Sequence, residues 1–166
     1  VNGVSKGYAM TGWRIGFLAG PQWLVESCQK LQGQYTSGAC SIAQKAAKEA
    51  LTGDQSMIPH MLKIFKERRD LVVNELKKMP GVKTGVPDGA FYVLPDISSF
   101  FGTSDGEYEV RDCEDMAMYL LNKAQVATVS GSAFGALGCI RFSYAASTEI
   151  LKKGLDRIAT ALSELK

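Results

Sequence analysis

The sequence predicts an α/β protein, or an α+β one should its sheet prove mainly antiparallel. Two features point there. Long segments carry apolar residues at helical spacing, and short runs rich in Val, Ile, Phe and Tyr lie between them. Gly and Pro punctuate the joints, so strands and helices alternate along the chain instead of forming separate blocks.

Taken in order, residues 1–20 open as a glycine-rich loop. They then carry the apolar run Arg14-Ile15-Gly16-Phe17-Leu18-Ala19, which predicts a buried strand ended by Gly20-Pro21. Trp23, Leu24, Cys28 and Leu31 place a helix over 22–31, with a polar turn across 32–38. Ser41 is the expected cap of the next helix, whose Ala43, Ala46, Ala47, Ala50 and Leu51 lead to a stop at Gly53. The longest helix is expected over 56–79, because Met57, Met61, Phe65, Val72, Leu76 and Met79 keep a period near 3.6. With Ser56 as its N-cap, Pro59 falls in the first turn, where no intrahelical bond is lost, and Pro80-Gly81 closes the helix.

Beyond it the period shortens. Residues 82–84 and 91–94 predict strands joined by the turn Pro87-Asp88-Gly89, and 98–109 reads as a polar loop. A helix follows over 111–124 with Met116, Ala117, Leu120 and Leu121 inward, then short strands over 126–129 and 138–144. Ser147 caps a last helix over 148–165, whose Ile150, Leu151, Leu155, Ile158 and Leu162 share a face.

Composition narrows the function classes. The 166 residues, 46% hydrophobic and 22% charged, suit a globular protein with a sizeable core. The net charge of +2 comes from scattered basic residues, with no basic stripe interleaved with aromatics, which argues against a nucleic-acid partner. No apolar run approaches the roughly 18 residues a membrane span requires. No signal-peptide pattern is read in the opening residues, and with Val rather than Met at position 1 a processed or truncated chain is expected. Cys28, Cys40, Cys113 and Cys139 form no Cys-x-x-Cys pair, and His60 is the only histidine, so a zinc site is not expected. Dispersed through apolar stretches, they read as reduced, buried thiols of a cytoplasmic protein.

Two segments carry residues that invite chemistry. In the first, small residues flank Lys6, so the backbone can approach a ligand and the amine stays accessible. Such a lysine can form an imine with an aldehyde. Arg14, eight residues on, enters an apolar run, where its charge calls for an anion such as a phosphate. By residue chemistry alone, two ordinary basic residues on a surface loop is the simpler reading. In the second segment, alternation puts Ile140, Phe142 and Tyr144 on one strand face, with Cys139, Arg141 and Ser143 on the other. Arg141 therefore needs a partner, which an internal Asp or Glu would also supply.

The string Ser5-Lys6-Gly7-Tyr8-Ala9-Met10-Thr11-Gly12-Trp13-Arg14-Ile15-Gly16 resembles the lysine motif of class I aminotransferases of fold type I, and the aspartate aminotransferase-like subgroup especially. Gly131-Ser132-Ala133-Phe134-Gly135 followed by Arg141-Phe142-Ser143 resembles that family's Gly-x-x-Phe-Gly loop and its arginine strand. Gly89-Ala90-Phe91-Tyr92 resembles a strand of its small domain, and Thr36-Ser37 a loop that reaches the neighbouring subunit. The resemblance spans essentially the whole chain. It implies that Lys6 holds pyridoxal 5'-phosphate as a Schiff base and is the catalytic base, that Arg14 binds the cofactor phosphate, and that Arg141 clamps the substrate α-carboxylate. Two positions depart from the pattern: Gly3 replaces a serine that contacts phosphate in many relatives, and Ser130 replaces a proline before the loop. His60 belongs to no motif.

The resemblance further implies an aminotransferase moving an amino group from an L-amino acid, aspartate favoured, to a 2-oxo acid, as a homodimer. More than two hundred residues precede the lysine in the family and supply the other cofactor contacts. The chain is therefore expected to be a C-terminal fragment, with 1–53 the remnant of the large cofactor domain and 54–166 the small domain. Alone, it is expected neither to hold the cofactor tightly nor to transaminate, and 1–53 to be rearranged, disordered or self-associated. A lyase or cyclising synthase acting on an α-amino acid would share the three basic residues, and so would an aminotransferase-like sensor module of a transcription regulator.

Overall fold

The computed structural model describes residues 1–166. They fall into two compact units, Val1–Leu62 and Lys63–Lys166.

In the first unit, β1 (Asn2–Gly3) pairs antiparallel with β2 (Gly16–Phe17), Gly3 opposite Gly16. The approach is close: a Cβ on Gly3 would stand 3.2 Å from the Ile15 carbonyl oxygen, and one on Gly16 3.1 Å from that of Asn2. The buried strand expected over 14–19 is thus only two residues long, and it is exposed. With a single two-residue partner the run is only partly covered, Ile15 and Leu18 being half-buried, and Arg14 breaks it by adopting φ 50°. Helix α1 spans Gln22–Thr36, five residues beyond the expected end, so the turn lies at Ser37 (φ 61°) and Gly38. None of its residues is buried; Trp23 is 68% and Tyr35 85% exposed.

Helix α2 (Ser41–Thr52) begins one residue earlier than expected. Cys40 occupies the cap position without a side-chain bond, and Ser41 is already helical. Gly53 stops it as anticipated, its N–H donating to Glu49 O at 2.8 Å. Ser56 does not cap α3 (Met57–Lys78); its hydroxyl donates to Asp54 instead, at 2.6 Å.

The second unit takes the rest of α3 and is built on a three-stranded sheet. Its members are β3 (Tyr92–Val93), β6 (Val129–Ser130) and β7 (Ile140–Ser143), in the order β3-β7-β6. The strand expected over 82–84 reduces to one bridge, Lys83 with Asp96. The expected loop 98–109 holds a 3-10 turn (Ser98–Phe100) and a small pair, β4 (Thr103–Ser104) with β5 (Glu109–Val110). Helix α4 (Cys113–Tyr119) widens into a π turn over Leu120–Ala124, and α5 spans Thr148–Glu164. Every strand pairing is antiparallel, so the mixed architecture falls on the α+β side.

The core of this unit joins Val72, Val73 and Leu76 of α3, Met116 and Tyr119 of α4, and Leu155, Ile158 and Leu162 of α5 to Val93, Ile140 and Phe142 of the sheet. The expected alternation holds, since Ile140, Phe142 and Tyr144 are buried and the residues between them are not. Two expected inward residues point outward: Ile150 is 64% and Leu121 42% exposed. Tyr119 fills the core in Leu121's place, and its hydroxyl donates to Ala161 O at 2.8 Å.

Candidate active site

Each unit presents its own group of candidate residues. In the first, Val4 is the anchor, a fully buried side chain two positions before Lys6. A turn over 4–9 follows, closed by Tyr8 N–H to Val4 O at 3.2 Å and Ala9 N–H to Lys6 O at 3.2 Å, with Ala9 at φ 53°. The Tyr8 hydroxyl reaches Gln55 Oε1 at 2.9 Å and pins the turn to the segment after α2. Lys6 is left on the outer side, exposed.

Arg14 follows a 3-10 turn over Thr11–Trp13, and its Nη1 donates to Thr11 O at 3.0 Å. That bond uses one of five guanidinium donors and leaves the fork available to an anion. Lys6 and Arg14 line one open cleft of ≈ 700 Å³, together with Ser5, Tyr8 and the glycines of β1 and β2. An amine, a guanidinium and a hydroxyl in a single cleft suit a ligand that carries both an aldehyde and a phosphate. Arg14, expected inside a buried strand, is exposed at the cleft wall instead. At Gly3 the crowding against Ile15 O leaves little room for a side chain.

In the second unit, Arg141 sits on the central strand β7 and forms no ion pair, so the internal Asp or Glu that might have held it is not there. Two aromatic rings hold it. Its guanidinium carbon lies 4.3 Å from the Tyr92 ring centroid and 4.5 Å from that of Phe134. Tyr92 comes from β3, directly beside β7. Phe134 ends a 3-10 turn over Gly131–Phe134 that Gly135 terminates at φ 72°. With two rings against the guanidinium and no ion pair made, its N–H edge remains to bind a carboxylate in bidentate fashion.

The turn is itself tied down. Ser132 Oγ donates to Glu114 Oε1, Ser130 Oγ lies 2.8 Å from Ser132 Oγ, and Ser132 N–H donates to Ser130 Oγ at 3.2 Å. The Ser132 hydroxyl is the main reason that the Glu114 carboxyl is held below the usual carboxylate range. The sequence places Tyr92 in a strand that could line the substrate entrance, core packing being the simpler role, and carries no sign of the aromatic clasp on Arg141. No grouping of His, Cys, Asp and Glu could hold a metal ion. No helix is long and apolar enough to cross a membrane.

A family profile for aminotransferases of class I and II matches residues 1–158. The chain belongs to this family. An aminotransferase chain of Petunia hybrida, the bifunctional aspartate aminotransferase and glutamate/aspartate-prephenate aminotransferase, is 48% identical over 170 residues, covering 100% of this chain and 36% of the relative. The probable aspartate/prephenate aminotransferase of Rhizobium leguminosarum bv. phaseoli is 50% identical over 159 residues, or 95% of this chain and 40% of the relative. Among solved structures, the aspartate aminotransferase of Rhizobium meliloti superposes with a TM-score of 0.94 at 43% identity, over 99% of this chain and 42% of that one. The chain thus spans 36–40% of the length of those two curated relatives.

Proposed function

We propose that this chain supplies the lysine and two arginines of a pyridoxal 5'-phosphate-dependent aminotransferase that moves an amino group from an L-amino acid to a 2-oxo acid, with aspartate the favoured donor. The observation that carries the reading is the shared cleft of Lys6 and Arg14 in a chain of this family. Lys6 would hold the cofactor through its Nζ, and Arg14 would bind the phosphate. The cofactor supplies the electron sink for cleavage at the substrate Cα. Arg141 fixes the substrate carboxylate and so orients the Cα–H bond, and Lys6 Nζ takes the proton from Cα and redelivers it. Aspartate is favoured because relatives 42–50% identical carry aspartate or aspartate/prephenate aminotransferase names.

In this reading 1–53 belongs to the large cofactor-binding domain and 54–166 is the small domain. The working enzyme is a homodimer, and four free cysteines fit the reducing cytoplasm. The 166-residue chain by itself neither retains the cofactor tightly nor transaminates. Borohydride reduction of the holoenzyme containing this chain, followed by peptide mass analysis, should place the cofactor on Lys6, and L-aspartate with 2-oxoglutarate should give oxaloacetate and glutamate. Label on another lysine, or undiminished turnover in Lys6→Ala, would refute the assignment.

A further inference from the structure

The turn that carries Phe134 is held by an unusual amount of polar chemistry for a surface feature. Phe134 is half exposed, so burial alone does not fix its ring, yet the ring covers one face of Arg141. What fixes the turn is a chain of side-chain bonds reaching α4. Ser132 spends its single hydroxyl proton on Glu114, so the one Ser130 hydroxyl proton is shared between Ser132 Oγ at 2.8 Å and Cys113 Sγ at 3.2 Å. Ser130 Oγ also accepts the Ser132 N–H at 3.2 Å, which ties both hydroxyls to the turn backbone and to Cys113. Glu114 follows Cys113 at the start of α4, and Cys113 is fully buried, so the acceptor end of the chain stands on a rigid element. None of these bonds involves Arg141 itself; they bear on it through the Phe134 ring and through β6, whose Val129 pairs with Arg141.

We infer that Phe134 is a positioning residue for Arg141, and that Glu114, Ser132 and Ser130 act together to hold the Phe134 turn in place. The inference rests on the reading of Arg141 as the substrate-carboxylate group. It adds the residues that prepare it. An arginine held by Tyr92 alone could swing outward about its long stem, whereas one held by two rings has fewer orientations open to its fork before the substrate arrives. The hydroxyl chain performs, by hydrogen bonds, what a fixed φ at residue 130 would perform covalently. Ser130 has φ −54°, within reach of proline, and it faces Ile140 in a pair that exchanges no hydrogen bonds: the flanking residue 131 bonds Cys139, and Ile140 N–H turns to Pro95 O. Proline there would lose no ladder bond.

The test uses the 166-residue chain and two readouts: the chemical shift of the Arg141 Nε–H, moved upfield by the two ring currents, and its titration by succinate as the probe carboxylate. Phe134→Leu, Ser132→Ala and Glu114→Gln should each return that signal toward the position of a solvent-exposed arginine and weaken succinate binding by about threefold or more. Ser130→Pro added to Ser132→Ala should restore both. Thermal melting of each variant reports folding separately, and Phe134→Leu, at a half-exposed site, keeps the test open if a hydroxyl variant fails to fold. The proposal is overturned if Phe134→Leu leaves shift and binding unchanged, or if proline does not rescue. Should succinate binding survive Arg141→Gln, the carboxylate reading falls instead, while the ring-current result still decides what Phe134 and the hydroxyl chain do.

Discussion

At Gly131 the structure has no room for one more carbon. A Cβ there would lie 2.2 Å from Ala136 O and 2.3 Å from Cys139 O, both backbone atoms that cannot turn aside. Those carbonyls belong to the bonds that close the turn before β7, including Gly131 N–H to Cys139 O at 2.8 Å. Gly131→Ala should therefore cost about 3 kcal/mol or more in urea denaturation and loosen the seat of Arg141; an unchanged midpoint would contradict the crowding. Asp105 shows a different kind of dependence. Its carboxylate accepts the Tyr108 N–H at 2.7 Å and the Glu107 N–H at 2.9 Å and lies 3.0 Å from Lys123 Nζ, which together hold its pKa at about 2. A folded pKa below the unfolded value of about 3.9 stabilises the protein above that value, and the gain is lost as pH falls toward 2. Asp105→Asn should lower Tm at pH 7 and make no difference near pH 2, whereas a constant gap between the two melting curves would rule this out.

At this scale the sequence shows which face of a strand a residue occupies and is silent about how its side chain is held. Alternation along 139–144 correctly put Arg141 on the face opposite the core. No local pattern could show that its partners are two rings, because Tyr92 and Phe134 stand 49 and 7 residues away in the chain and meet it only through the sheet and the turn. Arg14 failed as a buried-strand residue for a related reason: an apolar run says that a segment can be covered, and covering needs a neighbour with enough strand to do it.

Among the elements, helix ends separate what composition reveals from what geometry decides. Ser147 caps α5 as expected, accepting the Ile150 N–H at 3.3 Å from an extended backbone (φ −66°, ψ 153°). Ser41 has equally good cap chemistry but lies inside α2, where its hydroxyl cannot reach an orphan N–H. Ser147→Ala should thus cost about 1 kcal/mol, and Ser41→Ala under about 0.5 kcal/mol, in the same denaturation assay. Equal effects would show that cap position is misjudged. The small pair of β4 and β5 was hidden inside the expected polar loop because it has no hydrophobic alternation to announce it. Side chains close it: Ser104 Oγ accepts the Gly106 N–H at 2.9 Å beside the two bonds to Asp105. Similarly α1 runs through Gly33, since a single glycine weakens a helix by only about 1 kcal/mol and does not end it without a cap.

For the molecule as a whole, the contrast in buried apolar surface sets how the chain should open. The first unit buries three hydrophobic side chains, Val4, Ala43 and Ala47, of which two are alanines, while Trp23, Leu31, Tyr35 and Ile42 are each more than 60% exposed. All the other buried hydrophobics, Tyr119, Met116, Leu120 and Ile140 among them, form one contiguous cluster in the second unit. Burial contributes about 1.5–3 kcal/mol for a large side chain and little for an alanine, against a backbone ordering cost of about 1–2 kcal/mol per residue. The second unit can meet that cost with its own core, and the first has almost no core with which to do so. Helix propensity does not close the gap, because helices of this length are marginal without tertiary packing. Amide exchange of the 166-residue chain should therefore divide inside α3: protons of α4, β7 and α5 exchanging at least about a hundredfold more slowly than those of α1 and α2. The division should persist in Lys6→Ala and Arg14→Ala, since both residues are exposed at an open cleft and contribute no core. Uniform protection across both units would mean that the first unit is stabilised by something other than the side chains it buries, and its exposed aromatic surface on α1 would be the place to look.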